Sequence, residues 1–126
     1  MIKLMSAMLL TALACAVSAE AYACSCRPMT RSEVLTDVQI AFRGKVVQAS
    51  PSADGRTLIA IIAVSQTIKG RVPSRMVVTT SNQPGLCGYP LHVNRAYDFV
   101  GRQHAPGQMS TNMCLMVPLN AQPFIR

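Results

Sequence analysis

The sequence predicts a mainly β domain: a closed barrel of five short antiparallel strands, preceded by one short helix, with its N-terminus pinned by disulfides. Three observations predict it. Residues 38–47 alternate with period two, the pattern of a half-buried strand. Residues 57–67 are apolar on both faces and rich in β-branched side chains, which suits a strand in the middle of a sheet. Turn-forming clusters cut the rest of the chain into short segments, and a closed barrel leaves such strands without exposed edges.

The chain has 126 residues, enough for one domain. Residues 1–23 read as a cleavable signal peptide. Lys3 is followed by an apolar run over 4–17 and then by Ala21-Tyr22-Ala23, the small-x-small pattern a signal peptidase cuts behind. The run is shorter than the about 20 apolar residues of a membrane span, so no span is expected. A lipoprotein signal also ends at a cysteine, but Ala21-Tyr22-Ala23 lacks the usual Leu and carries a bulky Tyr22. Cleavage makes Cys24 the first residue of a domain over 24–119, followed by a loose tail over 120–126. Such a chain is secreted or periplasmic, in an oxidising compartment where disulfides persist.

Cys15 leaves with the signal, and Cys24, Cys26, Cys87 and Cys114 remain. Four cysteines allow three pairings. A Cys24–Cys26 bridge would close a very tight ring with poor geometry. Each therefore reaches a distant partner, and either of the two remaining pairings ties the N-terminus to the second half of the chain. Zinc is the rival use of four cysteines, but C-x-C with two scattered partners does not match structural zinc spacing. A terminus ordinarily frays; one held at its first and third residues becomes a rigid element.

The formal net charge is +7, and it stays +7 when Lys3 and Glu20 depart with the signal. That balance suits an anionic partner and equally keeps a small exported protein soluble. The basic residues are scattered, without the dense run that marks a nucleic-acid arm, and exposed aromatics on a basic groove are lacking. No specific nucleic-acid partner is expected.

Taken in order, Thr30-Arg31-Ser32-Glu33 is a capping-box pattern that opens a short helix over 30–36. In the first strand Val38, Ile40, Phe42, Gly44 and Val46 face one side, with Arg43 and Lys45 on the other. Residues 49–55 are turn formers ending in Asp54-Gly55, a strong hairpin signal. The second strand, 57–67, ends before Lys69-Gly70. A third strand is expected at 76–80, and a loop over 82–88 carries Cys87. Segments 96–100 and 113–117 read as the fourth and fifth strands, separated by a loop containing Gly and Pro.

No catalytic set stands out, so the chain does not read as an enzyme. His92 and His104 are the only histidines and have no local triad signature. Glu33, Asp37, Asp54 and Asp98 are few and separated, which argues against paired acid–base work. The eight methionines read as core filler and signal-peptide residues.

Cys24-Ser25-Cys26-Arg27-Pro28 resembles the C-[ST]-C-x-P opening of the tissue inhibitors of metalloproteinases. The likeness extends through most of the chain after residue 23. A short helix precedes an Ala-containing first strand, here Ile40-Ala41-Phe42-Arg43-Gly44-Lys45-Val46. Leu86-Cys87-Gly88, with Leu91, Tyr97 and Gly101, is similar to the family's C-G-x-x-L…Y…G segment. Cys114 followed by Val117-Pro118 resembles the C-x-F-V-x-P segment that closes the family's inhibitory domain. The resemblance implies a netrin-like OB-fold and the pairing Cys24–Cys87 and Cys26–Cys114. It implies that the amine and carbonyl of Cys24 chelate the catalytic zinc of a target metalloprotease. Ser25 would enter the pocket beside that metal, and Cys26, Arg27, Pro28, Leu86, Cys87 and Gly88 would make flanking contacts. The protein would act as a monomer, with no cofactor of its own.

The chain departs from the family in four places, one of them a short first hairpin loop. No cysteine between Cys26 and Cys87 supplies the family's third disulfide, Leu119 stands near the place of a Trp, and twelve residues follow Cys114 where a second subdomain is usual. A short form is therefore expected. The alternative reading is an exported binding or structural module of the same fold, with a tethered terminus and no inhibitory activity.

Overall fold

A computed structural model of the protein describes residues 24–116 and the backbone of Phe124–Ile125. The expected signal peptide, most of the expected tail, and Val117, Pro118 and Leu119 lie outside the described residues. In chain order the elements are β1 (Pro28–Met29), α1 (Arg31–Asp37), β2 (Ile40–Pro51), β3 (Thr57–Lys69), β4 (Arg75–Ser81), β5 (Ala96–Gly101), β6 (Gln103–Ala105), β7 (Gln108–Ser110) and β8 (Phe124–Ile125).

The helix starts where the sequence places it. Thr30 Oγ1 accepts from the Glu33 amide at 3.1 Å, and Glu33 Oε2 accepts from the Thr30 amide at 3.0 Å. This reciprocal pair satisfies two amides that a helix start otherwise leaves unbonded. The other end is held by cations. Lys69 Nζ donates to the Leu35 carbonyl and Arg102 Nη2 to the Asp37 carbonyl, so positive charge meets the negative end of the helix. Val34 on its buried face packs with Ala41 and Val100, while Met29, Leu35, Ile68 and Leu115 close over them.

Six strands form one curled sheet in the order β5-β2-β3-β4-β7-β6, and β1 and β8 pair as a separate ribbon. β3 lies between β2 and β4, the central place its apolar faces call for. The alternation predicted for β2 holds from Phe42 to Val46, with Phe42, Gly44 and Val46 buried and Arg43 and Lys45 exposed; Ala41, on the outward parity, is instead buried against Val34 of α1. A register shift between Val46 and Gln48 then leaves Val47 outward, and β2 continues to Pro51. The strand thus runs four residues past its expected end, into residues 49–51 whose composition reads as turn.

The principal core is built from the inward side chains of these strands, with Phe42, Val46, Ile62, Met76, Val78, Phe99 and Met109 fully buried. Phe42 and Phe99 stack with centroids 5.1 Å apart. Tyr97 meets Phe99 edge-on at 6.1 Å, and Tyr89 meets Tyr97 edge-on at 6.0 Å. A continuous file of rings thus runs from the core to the loop that follows β4. On β5 the buried Asp98 receives Arg43 Nε at 2.8 Å from the paired position on β2. That pairing raises the guanidinium pKa, first through the hydrogen bond and then through the charge of Asp98.

The second half of the chain corrects the sequence reading. Residues 113–116 are not a strand: the Leu115 amide donates to the Asn112 carbonyl at 3.0 Å, and Asn112 Oδ1 accepts from the Cys114 amide at 2.9 Å, which closes a turn. Strand structure instead forms at β6 and β7, inside the segment expected to be a loop. Gly107, at φ 73°, supplies the left-handed residue their tight connection needs, and Met109 anchors β7 in the core. β7 runs parallel to β4, whereas every other pairing is antiparallel as expected. β5 and β6 stand at opposite ends of the sheet order yet are separated in the chain by Arg102 alone, so the sheet must curl to bring its ends together.

Candidate functional site

Two disulfides define the site. Cys24 is bonded to Cys87 and Cys26 to Cys114, at sequence separations of 63 and 88. Of the two long-range pairings the sequence left open, this is the one the family resemblance implies. Ser25 between them is exposed, and so are Arg27 and Pro28. Pro28 and Met29 then enter β1 opposite Ile125 and Phe124, a third restraint within six residues of chain.

The partner cysteines are held by different means. Cys114 sits in the Asn112 turn described above. Cys87 follows a tight loop in which Gly85 has φ 78° and Cys87 itself φ 62°. A left-handed backbone is unusual at a residue with a Cβ and costs roughly 1–2 kcal/mol. The surroundings impose it. Gly88 is pressed so closely on the Ser81 carbonyl that a Cβ there would collide with it. The Tyr89 amide donates to the buried Thr80 hydroxyl at 3.0 Å, and Met113 donates its amide to the Cys87 carbonyl at 2.9 Å. The last bond ties the two cysteine-bearing segments to each other. The Gly85 carbonyl lies 3.9 Å from Cys24 Sγ, which sets the 82–88 loop beside Cys24.

Beside Cys24 opens a groove of about 790 Å³ whose walls include Leu58, Pro84, Tyr89, Val93 and Met113. No Lys, Arg, Asp or Glu lines it; His92 and the phenol of Tyr89 are the titratable side chains in its walls. The His92 amide donates to the Tyr97 hydroxyl at 3.1 Å, which fixes the far wall to the aromatic file. Among the described residues the exposed large apolar side chains are Val47, Leu86, Val93 and Met113. Val93 and Met113 line the groove, and Leu86 stands between two residues that do.

All eight residues predicted for the site, Cys24, Ser25, Cys26, Arg27, Pro28, Leu86, Cys87 and Gly88, belong to the two segments that the bridge between Cys24 and Cys87 joins. The sequence missed Leu58, Tyr89, Val93 and Met113. Leu58 lies in a strand whose two faces are both apolar, so its sequence does not single it out; a loop Val such as Val93 has no sequence mark that tells exposure from burial, and Met113 falls in a segment that reads as a strand. Leu91 and Tyr97, which carry part of the resemblance, have packing roles: Leu91 is in the core and Tyr97 in the aromatic file.

The carboxylates of Glu33, Asp54 and Asp98 are engaged in structure. Glu33 caps α1 and Asp98 pairs with Arg43. Asp54 accepts from Ser52 Oγ at 2.6 Å and from the Arg56 amide at 3.0 Å in the β2–β3 turn. Those bonds, the hydroxyl's first, hold its carboxyl below the ordinary value. Among the described residues no three His, Cys, Asp or Glu side chains group as metal ligands, and no helix is long and apolar enough to cross a membrane. The chain matches no protein-family model and no curated protein.

Proposed function

We propose that this protein is an exported inhibitor of zinc metalloproteases, of the tissue-inhibitor type, acting through the backbone of Cys24. One observation carries the reading. The two disulfides fall on the first and third residues of the expected mature chain: one holds Cys24 to Cys87 of the 82–88 loop, beside a groove without Lys, Arg, Asp or Glu, and the other holds Cys26 to Cys114. With its sulfur committed to Cys87, Cys24 has only its amine and carbonyl left as donors, and both belong to one residue at a chain end once the signal is removed.

A catalytic zinc keeps one coordination position open for water, and a neutral amine with its neighbouring carbonyl can take that place. The α-amino pKa lies near about 8, so deprotonation costs little at neutral pH. Ser25 is exposed to enter the cavity beside the metal, and Leu86 offers an apolar contact on the flank. Because the terminus is fixed before binding, little conformational freedom is lost on association. Two disulfides suit an oxidising extracellular or periplasmic compartment. The OB-fold assignment belongs to the same proposal. If β5 and β6 are taken as one strand bent at Arg102, the sheet has five strands and its ends are joined by the chain itself.

The test compares three forms of the protein beginning at Cys24: free, α-acetylated, and extended by one Ala. Acetylation removes the lone pair that would bind the metal. The free form should inhibit at least one of a panel of zinc metalloproteases, and the two blocked forms none, with unchanged circular dichroism. Ser25→Gly should weaken inhibition more mildly. Equal inhibition by free and blocked forms, or none by any, refutes the chelation mechanism and leaves a structural module.

A further inference from the structure

We propose that Met113 is an oxidation site that sets the polarity of the groove beside the N-terminus, with a peroxide as oxidant. Its effect on inhibition rests on the function proposed above; the modification itself does not.

The methionines of the described structure differ sharply in access. Met76 and Met109 are fully buried, Met116 is 7% exposed, and Met29 is half-buried against the cluster under α1. Met113 is 42% exposed and lines the groove. The thioether is a soft nucleophile, and its oxidation follows access to solvent. The sulfur lone pair attacks one peroxide oxygen, an S–O bond forms and the O–O bond breaks. The remaining oxygen leaves as water with both hydrogens, the peroxide is reduced by two electrons, and the thioether becomes a sulfoxide.

The consequence follows from the walls. They include no acidic or basic residue besides His92, so their recognition chemistry is mainly that of apolar side chains. A sulfoxide at Met113 puts a strong hydrogen-bond acceptor on that surface and converts an adaptable apolar side chain into a polar one. The fold has no reason to respond. The Met113 side chain is outside the core, its amide remains bonded to the Cys87 carbonyl, and the next residue is bridged to Cys26. Oxidation of a core methionine such as Met109 would disturb packing, whereas oxidation of Met113 changes a surface. Sulfoxides are enzymatically reducible, so the change is a reversible one.

The experiment treats the disulfide-bonded protein beginning at Cys24 with hydrogen peroxide and follows each methionine by peptide mapping. Met113 sulfoxide should form at least tenfold faster than sulfoxide at Met76, Met109 or Met116, with the melting temperature unchanged at the point where Met113 is fully converted. Comparable rates, or unfolding in step with Met113 oxidation, would overturn the proposal. Amide shifts in a heteronuclear NMR spectrum should move at groove residues such as Cys87, Tyr89 and Val93 and stay fixed in the core; shifts confined elsewhere would also overturn it. If the untreated protein inhibits a zinc protease, oxidation should weaken it at least tenfold while Met113→Leu resists the treatment. Equal loss in both proteins would refute the role of Met113. If the untreated protein inhibits nothing, the chelation reading fails, and the mapping and NMR arms still decide this one.

Discussion

Removing either disulfide singly should cost the same free energy, although the two close loops of different length. Taken alone, bridges at separations of 63 and 88 would stabilise by about 4.3 and 4.6 kcal/mol on the chain-entropy relation. They are not independent. With one bridge in place, the other closes only the ring that passes through it: the short stretch from Cys24 to Cys26, the first bridge, and the stretch from Cys87 to Cys114. That ring is roughly 30 residues whichever bridge comes second, and the same relation gives about 3.6 kcal/mol. The paired variants Cys24→Ala with Cys87→Ala, and Cys26→Ala with Cys114→Ala, should therefore lose about 3.6 kcal/mol each in urea unfolding. The quadruple variant should lose about 8 kcal/mol, enough to unfold many small domains. Replacing Cys87 by Gly rather than Ala should return roughly 1 kcal/mol, because the left-handed backbone at φ 62° then carries no Cβ. A quadruple loss no greater than the sum of the two single losses would refute the shared-ring argument.

Two further outcomes test the supports of the site. Gly88→Ala forces a Cβ into the Ser81 carbonyl and should destabilise the protein by about 1–3 kcal/mol, with amide shifts concentrated over 81–89; a neutral substitution would show that the contact relaxes freely. Asp54→Asn addresses the β2–β3 turn. The folded-state pKa of Asp54 lies below its ordinary 3.8, so its stabilising contribution is complete above 3.8 and is lost as the pH falls through the folded value. The variant should be less stable than the parent at pH 6 and converge with it in strong acid, as read by thermal melts across that range; a constant gap would mean the charge plays no part.

The first half of the fold was legible because its signals are long. Twelve residues of β2 and thirteen of β3 give alternation room to show, and the Thr30–Glu33 box marks the helix start with two side chains. β6 and β7 have three residues each, too few for a period, and the Gly and Pro between them read as loop. The alternation of Met113, Leu115 and Val117 imitated a strand, but the Asn112 side chain offers its own backbone a turn and wins at Cys114. At the site, the cysteines announced a tethered terminus and the resemblance implied its pairing. The groove was illegible because it is made by loops and strand ends from distant parts of the chain, and its apolar walls have no sequence partner.

The close spacing of Cys24 and Cys26 also has a consequence for biosynthesis. During oxidation both thiols compete for whichever of Cys87 and Cys114 becomes reachable first, and exchanging the two partners moves the chain by two residues, about 7 Å of extended backbone. The exchanged isomer would keep the same mass, the same number of bridges and nearly the same sheet, yet present a different residue at the mouth of the groove. A preparation judged homogeneous by mass and secondary structure could thus be a mixture of competent and misdirected termini. Disulfide proofreading then decides what fraction of a preparation carries the pairing seen here, and a chain refolded without a thiol–disulfide shuffling step would retain whichever pairing formed first.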